Sequence, residues 1–378
     1  MDDQLSARLS IYELTRQQLA DWLEQCGEKT FRTEQIWDWL YGKRVTAFQQ
    51  MTNLSQALTA KLAAAFTIQT IDEAMSQQAA DGTVKYLFRL ADGQLIETVL
   101  MRHDYGLSVC VTSQVGCNIG CSFCASGLLR KTRDLTSGEM VEQLLSIQRR
   151  LDESAGKERI SHVVVMGIGE PFDNFEAVVR FLHIINDGTG LAIGARHITV
   201  STSGIVPKIC AFADIDWQVN LAISLHAATD TLRSQIMKIN RVYPIDKLMA
   251  AVDYYVQRTN RRVTFEYIML SGVNDRQEDA LKLAELLRAR RRLVYVNLIP
   301  YNPVEEHDLY HRSSNAAVSA FQAVLTKHGI GAAVRREFGT DIDAACGQLR
   351  SKQMQKERRH AAPIAARRRP SLKRGSVH

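Results

Sequence analysis

Three cysteines crowd one short stretch, Cys117-Asn118-Ile119-Gly120-Cys121-Ser122-Phe123-Cys124. At this spacing three thiolates can face one centre from a single loop. Zinc in a closed structural site wants four ligands, and no nearby His or Cys supplies a fourth. A 4Fe-4S cluster held by three cysteines leaves one iron open to a substrate. The bland alternative, cysteines buried together by chance, fits poorly with three in so short a span.

Other residues of chemical interest stand at the ends of apolar runs. Gly169-Glu170 follows Val163-Val164-Val165-Met166. Glycine lets a backbone approach a ligand closely, and the carboxylate can accept hydrogen bonds from an ammonium group. Alone, such a pair is also an ordinary strand-to-helix turn. Ser201, Ser224-Leu225-His226 and Asn302 end further runs. Ser and Asn also serve there as caps and turn formers, and a lone His is commonly structural. Cys110 alternates with Val109 and Val111, which suits a core thiol. Cys346 beside Ala344-Ala345 suits a small packed residue, and Cys26 and Cys210 read as core. Glu97 lies in a strand-like run, where a carboxylate ordinarily faces water.

These positions need a scaffold. Residues 10 to about 68 show apolar spacing of three and four over Ile11–Leu23, Thr33–Tyr41 and Leu54–Phe66, which predicts helices. From about 70 the period becomes two. Val84–Phe88 and Leu95–Val99 read as strands, with Asp81-Gly82 and Asp92-Gly93 as turns. Beyond 106 strands and helices alternate. The expected strands are Leu107–Ser113, Ser161–Met166, His197–Ser201, Val219–Leu225, Arg262–Met269 and Leu293–Ile299. The expected helices lie near 136–152, 173–187, 228–239, 244–258, 275–290 and 314–328. Thr136-Ser137-Gly138-Glu139 has the spacing of a capping box. Six such units make an α/β protein with a parallel sheet, whose ligands sit at the strands' carboxyl ends. Periodicity does not separate an open sheet from a barrel.

Cys-x3-Cys-x2-Cys with an aromatic before the last Cys resembles the cluster motif of radical S-adenosylmethionine (SAM) enzymes. Further segments follow in order: Met166-Gly167-Ile168-Gly169-Glu170-Pro171, Ser201-Thr202-Ser203-Gly204, Ser224-Leu225-His226, Asn297-Leu298-Ile299-Pro300-Tyr301-Asn302-Pro303 and Asp341-Ile342-Asp343-Ala344-Ala345-Cys346-Gly347. Together they resemble the RlmN/Cfr family of adenosine C-methyltransferases over roughly residues 10–350, and its RlmN branch more closely. The resemblance implies a partial, six-unit β/α barrel over 106–350. It would be preceded by a helical RNA-recognition module (1–70) and a β-hairpin linker region (71–105).

The resemblance also implies roles. Cys117, Cys121 and Cys124 would ligate one 4Fe-4S cluster. Gly169, Glu170, Ser201, Ser224, Leu225, His226 and Asn302 would bind SAM, with Asn302 rather than Asn297 chosen by the match to Tyr-Asn-Pro. Two SAM molecules would be used per turnover. One methylates Cys346. The other yields a 5′-deoxyadenosyl radical that takes a hydrogen from that S-methyl group, and the carbon radical adds to adenine. Cys110 would then attack the Cys346 sulfur, closing a transient disulfide as the product leaves. Cys110 or Glu97 would take the proton from the adenine carbon. Adenine C2 is not nucleophilic, so ordinary displacement on SAM cannot methylate it. The implied substrate is adenosine 2503 of 23S rRNA, methylated at C2, and some members also modify adenosine 37 of certain tRNAs. An electron donor such as flavodoxin would serve a monomeric enzyme. A Cfr-type enzyme would methylate C8 of the same base, conferring antibiotic resistance. The Gln114-Val115-Gly116-Cys117 context favours the RlmN branch. A rival from another class is a non-catalytic, zinc-stabilised RNA-binding protein.

Composition bounds these readings. The 378 residues are 46% hydrophobic and 23% charged, which excludes a largely disordered chain. The start, MDDQLSARLS, lacks a secretory signal, and no window has the apolar length of a membrane span. Seven cysteines, an odd number, argue against a disulfide framework and fit a cytoplasmic protein. The net charge of +6 is concentrated in residues 351–378, which hold nine Lys or Arg and one Glu. Removing them leaves 38 basic and 40 acidic groups, a net of −2. The basic segment reads as a disordered tail. RNA contact is expected from Lys131 and Arg133 beside the cysteine loop, with Arg130 near them. Trp37 and Trp39 read as core, and Arg288, Arg290, Arg291 and Arg292 form a second basic run.

Overall fold

The computed structural model describes residues 8–128, 130–154, 156, 158–303, 309–339 and 341–342. Cys346 and the basic tail lie outside the described residues. The first element among the described residues is a strand, β1 (Leu9–Ser10), followed by α1 (Arg16–Gln25), α2 (Phe31–Trp37) and α3 (Gln56–Ala65), and the chain returns through β2 (Phe66–Thr67) to pair in parallel with β1. Thr15 and Gln18 close a capping box on α1, and Ser55 caps α3. Apolar spacing buries Leu19, Leu23, Ile36, Leu40, Leu58 and Leu62 around Trp37. The helical expectation for this module therefore holds. Its third expected segment begins as a loop and becomes regular only at Gln56.

Next come β3 (Ile71–Gln78), β4 (Val84–Leu90) and β5 (Leu95–His103), an antiparallel meander. Asp81 and Asp92 each accept the backbone N–H two residues on, which closes the two Asp-Gly turns. β6 (Gly106–Cys110) pairs antiparallel with β5 and parallel with a later strand, so the meander continues directly into the large sheet.

After β6 come the short strands β7 (Gln114–Val115) and β8 (Arg133–Asp134), then α4 (Ser137–Glu153), β9 (Ile160–Val165), α5 (Phe175–Asn186), β10 (Ile198–Thr202), α6 (Val206–Ala213), β11 (Asn220–Ser224), α7 (Asp230–Ile236), α8 (Ile245–Thr259), β12 (Val263–Met269), α9 (Gln277–Leu287), β13 (Val294–Pro300), α10 (Asn315–Lys327) and β14 (Gly331–Val334). The ten-stranded sheet runs β14-β13-β12-β11-β10-β9-β6-β5-β4-β3. Its end strands do not pair with each other, so the barrel is partial.

All six expected parallel strands are present. The structure adds β14 as a seventh, whose sequence Gly-Ala-Ala-Val carries no apolar alternation to announce it. It also adds α6, whose eight residues carry a Pro in the first turn and span only about two turns, too short for a helical period to stand out.

Strand parity decides which side chains face the barrel interior. On β12, Val263, Phe265, Tyr267 and Met269 are buried in the apolar core. Thr264, Glu266 and Ile268 line interior cavities, as do Ser201, Ser224, Asn297 and Ile299 on neighbouring strands. The N-terminal module is fastened to the barrel by Glu142 of α4. Its carboxyl accepts bonds from Ser10 Oγ, Thr70 N and Oγ, and Ile71 N. Burial pushes that carboxyl up to about 7, against the pull of the Thr70 donors.

Candidate active site

The cysteine loop is pinched at its base. β7 and β8 pair antiparallel, so residues 116–132 close on themselves. Arg133 bonds both carboxylate oxygens of Glu139 and reaches Asp92, while Lys131 bonds Asp134 and Asp173. Farther out, Ser122 N donates to Ile236 O at 2.9 Å, and its hydroxyl lies 2.7 Å from that of Tyr310. Phe123 packs with Ile236, Met237 and Tyr301 and meets the His226 ring edge-on at 4.9 Å. The loop is thus tied to the ends of several strands.

Cys117, Cys121 and Cys124 line one cavity of about 280 Å³ together with Gly169, Glu170, Ser201, Ser224 and His226. Burial pushes the Cys117 thiol up to about 12 and the Cys121 thiol well above its ordinary range. Cys124 adds to both by like-charge repulsion. A cysteine ligates metal only as the thiolate, so these protons must leave before the three can hold a metal. Among the described residues no three His, Cys, Asp or Glu side chains converge tightly enough to hold a single ion. Three cysteines lining one cavity match the three-thiolate ligation of a 4Fe-4S cluster.

Gly169 is needed at its position. Its φ is +111°, and an added Cβ would lie 2.6 Å from Gln114 Cβ. Gln114 Oε1 in turn accepts Glu170 N at 2.8 Å. The Glu170 carboxylate accepts Phe172 N at 3.0 Å and Ser203 N at 2.7 Å. It therefore joins the ends of β9 and β10 besides facing the cavity. Burial raises its pKa, against those donors.

His226 occupies the left-handed region at φ +58°. Its Nδ1 accepts Ile268 N at 3.0 Å, so the ring proton resides on Nε2. Burial, assisted by Arg233, lowers its pKa to about 3 and keeps it neutral. Leu225 is not among the residues that line this cavity. Its side chain is fully buried in the apolar core, because parity turns it away from the cavity that Ser224 and His226 line.

A second cavity adjoins the first and shares Phe123, Cys124, Ile268, Ile299 and Arg335 with it. Cys110 and Asn302 line this one. Burial raises the Cys110 thiol pKa, and the Arg335 guanidinium pulls it back. Glu97 does not face water as its strand suggested. It is buried, with Oε2 2.8 Å from Lys85 Nζ, and β5 lies beside the β6 strand that carries Cys110. Sequence reasoning missed Gln114, Arg233, Glu266 and Arg335. Strand alternation could have flagged Glu266, but nothing local marks the others.

Residues 9–68 match the family described as ribosomal RNA large subunit methyltransferase N-terminal domain, and residues 111–284 match the radical SAM superfamily. A probable dual-specificity RNA methyltransferase RlmN of Enterococcus faecalis is 64% identical over 349 residues, covering 92% of this chain and 98% of that one. Its counterpart from Exiguobacterium sibiricum is 61% identical over 348 residues, covering 92% and 98%. This chain belongs to the RlmN family. Among solved structures, a radical SAM methyltransferase from Sphaerobacter thermophilus superposes with a TM-score of 0.85 at 45% identity, covering 90% of this chain and 98% of that one.

Membership makes the chain a radical SAM RNA methyltransferase, which sets aside the non-catalytic zinc reading. The RlmN family implies a 4Fe-4S cluster and SAM, and the cysteine-lined cavity fits both. No helix among the described residues is long and apolar enough to cross a membrane.

Lys131 and Arg133, expected to contact RNA, are each paired within the chain, with carboxylates that brace the cysteine loop. Arg290 is likewise paired, with Asp253. Trp37 is core as expected, and Trp39 packs against the core with Lys43 over its ring.

Proposed function

We propose that this chain methylates C2 of adenosine 2503 in 23S rRNA, and adenosine 37 of tRNAs, by way of a methyl group carried on Cys346. The observation that carries the reading is the adjoining pair of cavities. Cys110 lines one, the cysteine loop lines the other, and Cys124 belongs to both. A thiol that must close a disulfide with a methyl-bearing cysteine has to stand beside the centre where the methyl group is activated.

In this reading Cys117, Cys121 and Cys124 hold the cluster. Gly169, Glu170, Ser201, Ser224 and His226 hold SAM, with the Leu225 main chain between them, and Asn302 reaches in from the adjoining cavity. When bound, cluster and SAM supply an electron-driven radical and the methyl group. The protein supplies order. Gly169 allows close backbone approach, and His226 presents a fixed N–H donor. Once the adduct has lost one electron and its ring proton, Cys110 as thiolate attacks the Cys346 sulfur. The carbon–sulfur bond breaks with its electron pair going to the methylene carbon, which takes a proton to become the methyl group. A thiol reductant then reopens the disulfide for the next turnover. Cys110 or Glu97 takes the proton from the adenine carbon. Two SAM molecules serve each turnover of a monomeric cytoplasmic enzyme, and a flavodoxin-type donor supplies the electron.

Nucleoside mass spectrometry of 23S rRNA and tRNA from a deletion strain, with and without this chain, tests the proposal. Restored 2-methyladenosine in both RNAs is the expected result. Formation of 8-methyladenosine without 2-methyladenosine would overturn it in favour of Cfr-type chemistry.

A further inference from the structure

Arg233 is fully buried on α7. Its guanidinium donates to Ser203 O at 2.7 Å, Asn240 Oδ1 at 2.9 Å, and Ser224 O and Leu225 O at 3.1 Å each. All of these hydrogen-bond partners are neutral. A cation in a dry interior with no directly bonded anion costs several kcal/mol unless another charge compensates it. Asp230, which Asn240 links to it, supplies one compensating charge, and Cys121 supplies another only once it has given up its proton to ligate a metal.

The same segment carries a second cation. A Cβ on Gly120, inside the cysteine loop, would lie 3.7 Å from Lys238 Nζ. Lys238 is exposed, so it lies along the outer side of the loop. The bond from Ser122 N to Ile236 O fastens the loop to α7, midway between the two cations.

We infer that Arg233 and Lys238 set the reduction potential of the cluster bound in the cysteine loop, Arg233 from inside and Lys238 from the surface. The inference rests on the reading of Cys117, Cys121 and Cys124 as its ligands. Three thiolates on a 4Fe-4S core with two positive charges leave one net negative charge. Gaining one electron from a low-potential donor doubles that charge, and no bond breaks. Fixed positive charge nearby favours the more negative state, strongly in a dry interior and weakly where salt screens it.

The test is a potentiometric titration with dithionite, followed by electron paramagnetic resonance, on anaerobically reconstituted protein without SAM or RNA. Iron and sulfide are assayed on the same samples. Arg233→Gln should make the midpoint more negative, so that the reduced-to-oxidised ratio at the parent's midpoint falls about tenfold, about 59 mV for one electron. Arg233→Lys should restore most of the shift. Lys238→Gln should give a smaller shift that shrinks with added salt. A loaded Arg233→Gln with the parental midpoint overturns the inference, and so does an equal shift in Arg233→Lys. If Arg233→Gln takes up no iron, Lys238→Gln decides, and a parental midpoint there overturns it. A parent that binds no iron or sulfide refutes the ligand reading instead.

Discussion

Lys85 Nζ lies 2.8 Å from Glu97 Oε2, and both side chains are buried. β4 and β5 pair in antiparallel register and bring the two together. Removing one partner of a buried ion pair costs about 3–5 kcal/mol, because the other charge is left uncompensated. Lys85→Met should lower unfolding stability by about that amount, read by chemical denaturation. Adding Glu97→Leu should recover much of the loss. If Glu97 also serves as base, the double variant will be folded and bind SAM yet methylate RNA slowly. Full activity in the folded double variant would confine Glu97 to a structural part.

The two cysteines assigned to methyl transfer should fail in different ways. Cys346→Ala should abolish transfer, since no sulfur remains to carry the methyl group. Cys110→Ala should stop one step later and accumulate a covalent protein–RNA species, visible as a shifted band on a denaturing gel. A Cys110→Ala variant that turns over without such a band would contradict its assigned part.

Gly169→Ala tests the close approach behind the SAM site. The new Cβ would meet Gln114 at 2.6 Å on a backbone at φ +111°. Strain of this kind costs about 1–3 kcal/mol. Displacing Gln114 would also release Glu170 N. SAM affinity should fall by about tenfold or more, measured by equilibrium binding to the reconstituted protein. Unchanged affinity would show that this turn does not shape the site.

His226 gives a pH signature. Its folded pKa is about 3 and its unfolded value is about 6.5. Between these the unfolded chain binds a proton that the folded one refuses. Stability is therefore intact above about pH 6.5 and declines as pH falls toward 3, by up to about 1.4 kcal/mol per pH unit. In His226→Gln this component is absent, so the difference in urea midpoint between parent and variant should narrow from pH 7 to pH 4. Parallel profiles would mean that His226 is not held neutral.

The tail carries nine basic residues and one acid after Arg350. A chain ending at Gln348 should bind RNA less tightly at low salt and show a shallower salt dependence. Its activity at high salt should be largely intact in a single-turnover methylation assay. Complete loss at every salt concentration would assign the tail a specific part.

Much of this architecture is legible without coordinates. Cysteine spacing is a property of one loop, and the alternation of strand and helix is written in local hydrophobic period, so the six parallel strands follow from the residues alone. β14 and α6 escape because Gly-Ala-Ala-Val carries no apolar alternation and Val-Pro-Lys-Ile-Cys-Ala-Phe-Ala is too short for a helical period to stand out.

Other properties depend on contacts between residues far apart in the chain. Ser224 and His226 face the cavity while Leu225 faces the core, because strand parity sends neighbours to opposite sides and only the fold says which side is which. Lys131 and Arg133 read as RNA contacts, and the fold places Asp92, Asp173 and Glu139 around them. Glu97 looked solvated until strand register set Lys85 against it. The sequence determined the chemistry this chain carries and the order of its scaffold. The tertiary structure decided which charges are already paired and which side chains reach the site, since pairing and burial are settled only when distant segments meet.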